Sequence, residues 1–316
     1  MKKIFKALKV AFVYIGTMVG AGFATGQEIQ LYFLSTDILT LVVSSIFTGL
    51  FCVLMLVSGQ KQIFNEKAKK IINGIFALSG IITVGIMLSG IKEIVKSPYI
   101  LLLSLFVCMV VAVFGNRAMK AFNVICVPLI IIAVFVTAIV NNGKIVGSFK
   151  IFNGLGYSAM NVFFESALMY REGENMTKSE ISLAGVFVSI LIFTLIFCMR
   201  KACAPIVGVM PYIEASRSNG LGWVALIVVI LAIYSTIVNC LEVTFDYAKK
   251  HFEKTLVYTF VFIASLFISV FPFDLLIAKI YPIFSYLGII LNIFTFVLLL
   301  TKLIKVKANT LIVKKY

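Results

Sequence analysis

Charged residues are scarce in this chain. Only 13% of its 316 residues are Asp, Glu, Lys or Arg, whereas 61% are hydrophobic. An ordinary soluble domain has about one quarter charged residues and about one half apolar ones. The chain has too few polar residues to cover a soluble globule, so we expect an integral membrane protein.

Histidine and paired cysteines are also lacking. The single histidine, His251, lies in a charged connection, and the six cysteines show no CxxC spacing. Most of these cysteines fall inside apolar runs, which is typical of small core residues rather than of disulfides or metal ligands. The GxSxG and HExxH motifs are absent as well. We therefore predict no enzymatic activity and no cofactor apart from a coupling ion.

Long apolar runs fill the rest of the chain. Each is about 20 residues long, the length that a helix needs to cross the hydrocarbon core of a bilayer. The runs are continuous rather than alternating, so helices are favoured over the strands of a barrel. We predict an all-α integral membrane protein with about ten transmembrane helices, at 7–30, 37–58, 71–91, 98–115, 118–140, 147–171, 179–199, 221–246, 254–272 and 278–304.

The net charge of +15 comes from short basic clusters between these runs. With the N-terminus in the cytoplasm, 20 of the 28 basic residues fall in inner segments. The eight outer ones are Lys92, Lys96, Lys144, Lys150, Arg200, Lys201, Arg217 and Lys279. This bias follows the positive-inside rule and predicts that both termini are cytoplasmic. It also assigns the basic residues to membrane orientation, so we expect a lipid bilayer and no nucleic acid as partner.

Ten spans divide into two sets of five, at residues 1–141 and 142–316. The sixth span starts on the opposite side of the membrane from the first, so the two halves would have inverted topology. Each half also opens with a glycine-interrupted helix. Paired interrupted helices are typical of transporters that bind their cargo between inverted repeats.

The first span carries a dense glycine cluster at mid-membrane, at Gly16, Gly20, Gly22 and Gly26. Each glycine weakens an exposed helix by about 1 kcal/mol relative to alanine. An unwound segment would free carbonyls for a cation and amides for a carboxylate. Close packing of small residues is the alternative. Nearby Thr17, Thr25 and Glu28 favour a binding site.

The sixth span repeats this pattern at Gly154 and Gly156, followed by Tyr157, Ser158 and Asn161. We expect a second break there. Glu165 lies further along the same span, and an intramembrane carboxylate is by default a functional candidate. A paired, purely structural carboxylate is the alternative.

The eighth span has a polar stripe on one helical face. Ser235, Asn239, Glu242 and Asp246 follow one another at steps of four, three and four residues. Such a stripe suits a helix that lines an aqueous path. Alternatively, the hydroxyls of Ser235 and Thr236 bond to the preceding turn of their own helix, and the two carboxylates meet basic loops.

Together these motifs resemble the LeuT-type fold of the amino acid–polyamine–organocation superfamily. The stretch AFVYIGTMVGAGFATGQEI more narrowly resembles the start of YkvI-type bacterial membrane proteins, which are proposed amino-acid permeases. The resemblance implies a 5+5 inverted repeat with broken helices 1 and 6. It also implies a multi-pass protein of the bacterial plasma membrane.

The resemblance also implies a sodium site between the first and eighth helices. Its ligands would be the carbonyls of Gly16, Val19 and Ala232 and the hydroxyls of Ser235 and Thr236. Proton-coupled relatives place a lysine from helix 5 in this region. Residues 121–140 carry no charge, which favours sodium.

The implied substrate site lies beside this cation. Amides around Ala21 and Gly22, next to Thr17, would meet a carboxylate. Groups near Gly154, Gly156, Tyr157, Ser158 and Asn161 would meet an amine. Helix 3 lacks the tyrosine, and helix 1 the asparagine, found in better-known symporters.

Four carboxylates are candidates for proton transfer or gating, at Glu28, Glu165, Glu242 and Asp246. We expect Glu242 or Asp246 to pair with Lys6 or Lys9 at an inner gate. The leading hypothesis is sodium-coupled symport of a small amino acid or related zwitterion by alternating access. The alternative is a ligand-sensing receptor subunit of the same fold without net transport. A channel is less favoured because no filter motif is present. The sequence indicates no oligomeric state.

Overall fold

A computed structural model describes residues 2–114, 116–204 and 206–313. Within these ranges, side chains are described except at 116–123 and 305–313. Six basic residues of the predicted inner set therefore lie outside the described side chains, namely Arg117, Lys120, Lys305, Lys307, Lys314 and Lys315.

The described residues form thirteen helices. They are α1 (Lys2–Met18), α2 (Ala21–Ala24), α3 (Gln27–Phe33), α4 (Ile38–Gln60), α5 (Glu66–Val95), α6 (Pro98–Val113), α7 (Asn116–Asn141), α8 (Ile151–Gly173), α9 (Lys178–Cys203), α10 (Pro211–Ser218), α11 (Gly222–Ala248), α12 (Lys254–Ile268) and α13 (Phe273–Val313). The extended pairing among these residues is a single isolated bridge between Thr36 and Ser148. The predicted all-α class is confirmed.

Six of these helices are long and apolar enough to cross a membrane. They contain the spans Ile38–Gln60, Glu66–Val95, Val124–Asn141, Lys178–Cys203, Gly222–Ala248 and Phe273–Ile304. Two shorter apolar helices, α6 and α12, accompany them. The multi-pass membrane architecture predicted from composition is thus supported. The count of ten crossings, the inverted repeat and the division between residues 141 and 142 stay predictions.

The first predicted span is interrupted, as its glycines indicate. Instead of one helix over 7–30, the chain forms α1, α2 and α3. Gly20 between α1 and α2 is extended, with φ −91° and ψ −170°. Gly26 before α3 has φ +87°, a left-handed conformation that glycine adopts without a steric penalty.

The predicted break in the sixth span is wrong, because α8 is continuous through both of its glycines. The Gly154 amide donates to the Lys150 carbonyl at 3.3 Å. A Cβ added to Gly154 would lie 3.2 Å from the Thr40 carbonyl oxygen of α4. Gly154 therefore permits close helix packing, which is the alternative use of small residues in membrane helices.

Close packing of α4 along α8 organises this side of the molecule. A Cβ added to Gly59 would lie 1.9 Å from the Tyr170 carbonyl oxygen, and one added to Gly173 would lie 2.0 Å from that of Leu56. Side chains are excluded at both places because the facing atoms are backbone. The contact fixes α8 beside α4.

We predict that Gly59→Ala lowers the free energy of unfolding by about 1–3 kcal/mol, because the added methyl group forces two helix backbones apart. Thermal unfolding of the detergent-solubilised chain measures this. Gly156→Ala is the matched control, since its Cβ would meet Tyr32 and Ser285 at ordinary distances of 3.6–3.8 Å. Equal stability of the two variants would contradict the packing assignment.

Candidate functional site

The break between α1 and α2 lies in the buried interior and rearranges the local backbone bonds. The Gly20 amide turns back to the Met18 carbonyl at 2.8 Å. The Gly16 carbonyl instead accepts a hydrogen bond from the Ser235 hydroxyl at 2.8 Å. The Ala21 amide points at the Met87 sulfur, 3.1 Å away. Neighbouring helices thus supply the partners that a regular helix would provide, as a membrane interior requires.

The hydroxyl pair of α11 lies against this break. Ser235 contacts the Gly16 carbonyl, and a Cβ on Gly20 would lie 3.0 Å from the Thr236 hydroxyl oxygen. Within the described residues, that buried Thr236 oxygen has no hydrogen-bond partner. Val19 and Ala232 are buried in the same two segments. The structure therefore brings together the two helices that carry the predicted cation ligands.

A polar link continues one turn below the break. The Asn239 amide donates to the Thr17 hydroxyl at 3.0 Å, and Thr17 donates to the Val13 carbonyl at 3.1 Å. Thr17 and Asn239 line a small cavity of about 20 Å³ together with Phe76 and Phe164. The Ser235 and Asn239 part of the polar stripe on α11 thus faces α1 rather than lipid.

One face of α8 meets the break, and another meets α4. Tyr157 belongs to the first face, and its hydroxyl lies 3.9 Å from the Met18 sulfur. Asn161 follows one turn later and donates to the Tyr157 carbonyl at 2.9 Å. Ser158 belongs to the second face, where its hydroxyl lies 2.7 Å from both the Gly154 and the Ser44 carbonyl oxygens.

The predicted substrate residues of α8 are therefore divided. Tyr157 lies beside the break, and a Cβ added to Gly156 would lie 3.6–3.8 Å from Tyr32 and Ser285. Gly154 and Ser158 contact α4 and are not brought to the break. The reason is helical geometry: 154 and 158 share one face at a spacing of four residues.

Glu165 is the deepest carboxylate of α8. It is fully buried, and within the described residues neither of its carboxyl oxygens has a hydrogen-bond partner. Thr17 lies beside Glu165. A negative charge on Glu165 would act on the neighbouring side chains of Tyr14, Cys52 and Cys240. An isolated charge at this depth is costly unless it is neutralised by a proton or a cation.

Glu28 of α3 is the second buried carboxylate near the break. It is 3% exposed, and its Oε2 atom has no partner among the described residues. The side chain folds back onto Gly22 of α2, where an added Cβ would lie 2.5 Å from Oε1. Glu28 and Glu165 thus flank the break from two different helices.

An ion-pair cluster joins α8 and α11 near their C-terminal ends. Arg171 lies 3.1 Å from Glu242 and 3.9 Å from Asp246, and Lys250 lies 3.1 Å from Asp246. In this conformation Lys6 lies 3.5 Å from Glu180 instead of pairing with these carboxylates. Their predicted pairing with Lys6 or Lys9 at a closed inner gate stays a prediction. Arg171 of α8 reaches both carboxylates, which lie one helical turn apart on α11.

A vestibule of about 560 Å³ opens beside these ion pairs. It is lined by residues of α5, α8 and α11, including Arg171, Asp246 and Phe76. Phe76 also borders the small cavity at Thr17 and Asn239. The vestibule therefore leads toward the break from the side on which α1 begins.

The opposite side is closed by contacts between α3 and the segment around α10. The Gln27 amide donates to the Gly208 and Val209 carbonyls at 2.7 and 2.8 Å. The Tyr212 amide donates to the Thr25 carbonyl at 2.9 Å, and the Gln30 amide donates to the Ile206 carbonyl at 3.1 Å. The break is thus sealed on one side and approached by a vestibule on the other.

Three residues near the break or α11 are not predicted from the sequence, namely Met87, Arg171 and Tyr281. Met87 and Tyr281 lie in apolar runs with no polar pattern, and Arg171 resembles an ordinary loop cation. Their proximity to the break or to α11 depends on packing between distant helices, which no local motif encodes.

Comparison with known proteins supports the fold. No protein-family model matches the chain. The uncharacterized membrane protein YkvI of Bacillus subtilis (strain 168) is 28% identical in an alignment 225 residues long, and the alignment covers 60% of this chain and 64% of that protein. The match therefore spans slightly less than two thirds of that relative.

Solved structures extend the likeness to nearly the whole chain. The manganese transporter of Eremococcus coleocola, in complex with an aromatic bis-isothiourea substituted compound, aligns with a TM-score of 0.55 at 14% identity. The alignment covers 93% of this chain and 78% of that one. Two point mutants of the same transporter align with TM-scores of 0.54. The chain shares the fold of this membrane protein.

We predict that Arg171→Ala destabilises the fold, because Glu242 is only 6% exposed and would lose its partner. The expected loss of unfolding free energy is larger than that for an exposed ion pair, about 0–1 kcal/mol, and smaller than that for a buried one, about 3–5 kcal/mol. Thermal unfolding in detergent measures it. The exchange Arg171→Glu with Glu242→Arg should recover part of the loss. The pairing would be contradicted if Arg171→Ala were as stable as the parent chain and the charge exchange gave no gain in stability.

Proposed function

We propose that this chain is a secondary transporter that couples sodium to the movement of a small amine-bearing solute by alternating access. A small amino acid is the cargo that the family resemblance implies. The likeness of the fold to a solved transporter supports the general class. The particular cargo and ion rest on the break and on the residues around it.

The observation that carries the proposal is the contact between the break and the α11 hydroxyls. Gly16 presents a carbonyl to Ser235, and Thr236 presents an unpartnered hydroxyl to Gly20. A cation bound here would take the place of the Ser235 hydroxyl proton as the partner of the Gly16 carbonyl oxygen. The Thr236 hydroxyl oxygen would be a second ligand of the cation. Carbonyl and hydroxyl oxygens are hard ligands, which suit an alkali cation.

The two sides of the break support alternating access. One side is sealed by the contacts of Gln27 and Thr25, and the other is approached by the vestibule. In a transporter, the seal and the opening exchange sides around a fixed central site. The ion pairs of Arg171 would then form the second seal when the vestibule closes.

A divalent metal is a less suitable cargo here, although the solved neighbour is a manganese transporter. Among the described residues, no group of three or more His, Cys, Asp and Glu side chains could hold a metal ion. Divalent sites in proteins are built from several such ligands. The donor set of this chain instead suits a monovalent cation and an amine.

A proton is the second candidate for the coupling ion, because Glu165 is buried without a hydrogen-bond partner among the described residues. A carboxylate there could bind a proton on one side of the membrane and release it on the other. Tyr14, Cys52 and Cys240 are the titratable groups around it.

The direct test is uptake into proteoliposomes driven by a sodium gradient. We predict that Ser235→Ala combined with Thr236→Ala reduces the sodium dependence of uptake at least about tenfold, because two of the oxygens around the cation are lost. Thr244→Ala is the matched control. Its hydroxyl lies in the same helix but bonds to the Cys240 and Ala77 carbonyls. An unchanged sodium dependence in the double variant would overturn the cation site.

Glu165→Gln separates the two coupling ions. If sodium drives transport, the variant keeps its sodium dependence and its uptake varies with pH as in the parent chain. If a proton drives transport, Glu165→Gln abolishes uptake driven by a pH gradient, because an amide cannot carry the proton. Uptake is measured under each gradient alone.

The receptor alternative is tested in the same preparation. A receptor binds its ligand but accumulates none inside the vesicles under any gradient. Ligand binding without accumulation would therefore replace transport by sensing as the function of this fold.

A further inference from the structure

Glu28 lies against the first turn after the break. Its Oε1 atom lies against Gly22, so that a Cβ on Gly22 would be only 2.5 Å away. The Phe23 amide also lies within reach of the Glu28 carboxyl group. The amides that would bind a zwitterion's carboxylate are thus already next to a carboxylate of the protein itself.

Three tyrosines surround this carboxyl group. The same added Cβ on Gly22 would lie 2.9 Å from the Tyr281 ring, so ring and carboxyl group are neighbours. Tyr32 lies one turn after Glu28 in α3, and its ring centroid lies 5.6 Å from that of Tyr157 in α8. All three tyrosines are buried. Glu28 therefore lies in an aromatic enclosure built by α3, α8 and α13.

No cation of the described chain neutralises Glu28. It makes no ion pair among the described residues, and its Oε2 atom has no hydrogen-bond partner there. The buried Arg200 of the neighbouring α9 is directed to the Phe33 carbonyl, at the far end of α3. An unpaired carboxylate at this depth needs a positive partner or a proton.

We propose that Glu28 and its three tyrosines bind the ammonium group of the substrate, and that the substrate is a small amine without a carboxylate. This inference rests on the proposed transport function and narrows its cargo. A zwitterion would bring its own carboxylate next to Glu28 and be repelled. An amine is attracted by the carboxylate and by the rings, since aromatic groups bind ammonium ions.

An ammonium group fits this enclosure better than a metal ion does. Aromatic rings offer a metal no strong ligand, and a single carboxylate is a sparse coordination shell. The same rings favour an alkylammonium group, whose carbon atoms also gain by leaving water. The cation site at Gly16 and Ser235 lies on the other side of the break, so the two positive charges bind separately.

The test compares amines with the amino acids from which they differ by one carboxylate. The probes are ethanolamine against serine and isobutylamine against valine. Binding to the purified full chain in nanodiscs is measured by calorimetry in sodium chloride. We expect each amine to bind at least about tenfold more tightly than its amino acid, because a buried like-charge contact costs several kcal/mol.

Two sets of variants assign the effect to Glu28 and the rings. Glu28→Gln should weaken amine binding at least about tenfold and reduce the preference over the amino acid, while the exposed Glu253→Gln changes neither. Tyr281→Phe should keep amine binding because the ring remains, whereas Tyr281→Leu should weaken it about three- to tenfold. Amide exchange or thermal unfolding confirms that each variant is folded.

Three outcomes would overturn the inference. They are tighter binding of serine and valine than of the amines, unchanged amine binding in Glu28→Gln, and equal effects of Tyr281→Phe and Tyr281→Leu. Proteoliposome uptake separates this failure from failure of the transport proposal. Sodium-driven accumulation of valine but not isobutylamine would refute the amine assignment and keep transport. Amine binding without accumulation would keep the assignment and refute transport.

Discussion

The structure depends on an interrupted helix in the buried interior, where water does not satisfy its free backbone groups. A break at Val19 and Gly20 exposes backbone groups that lipid cannot satisfy. The molecule satisfies them from other helices, with Ser235 at the Gly16 carbonyl and Met87 at the Ala21 amide. The surrounding helices must therefore present polar or polarisable groups at the same depth, and this requirement concentrates the chemistry there.

The polar face of α11 follows from this constraint. Ser235 contacts the break, Asn239 holds Thr17 one turn below, and Glu242 pairs with Arg171 at the vestibule. One helical face thus connects the backbone break with the open side of the molecule. The contacts of α3 with the segment around α10 close the other side in this conformation.

Two acidic side chains are buried in the interior, in contrast with the basic residues at the ends of the helices. Glu28 and Glu165 lie on either side of the break, and neither has an ion-pair partner among the described residues. An unpaired carboxylate at this depth needs a proton or a positive partner. This electrostatic preference unites the proposed coupling ion and the proposed ammonium group without assigning both to one place.

Local sequence determined the membrane class, the broken first helix and the polar face of α11. Each of these depends on composition or on the spacing of neighbours along one helix, which a single sequence contains in full. In the sequence, Gly154 and Gly156 resemble the glycine cluster of the first span, yet α8 is continuous through both of them. Glycine permits both unwinding and close packing, and only the approach of α4 decided between them. The tertiary structure likewise decided that Arg171 pairs with Glu242 and that Tyr281 lies beside Glu28, because those contacts join helices far apart in the chain.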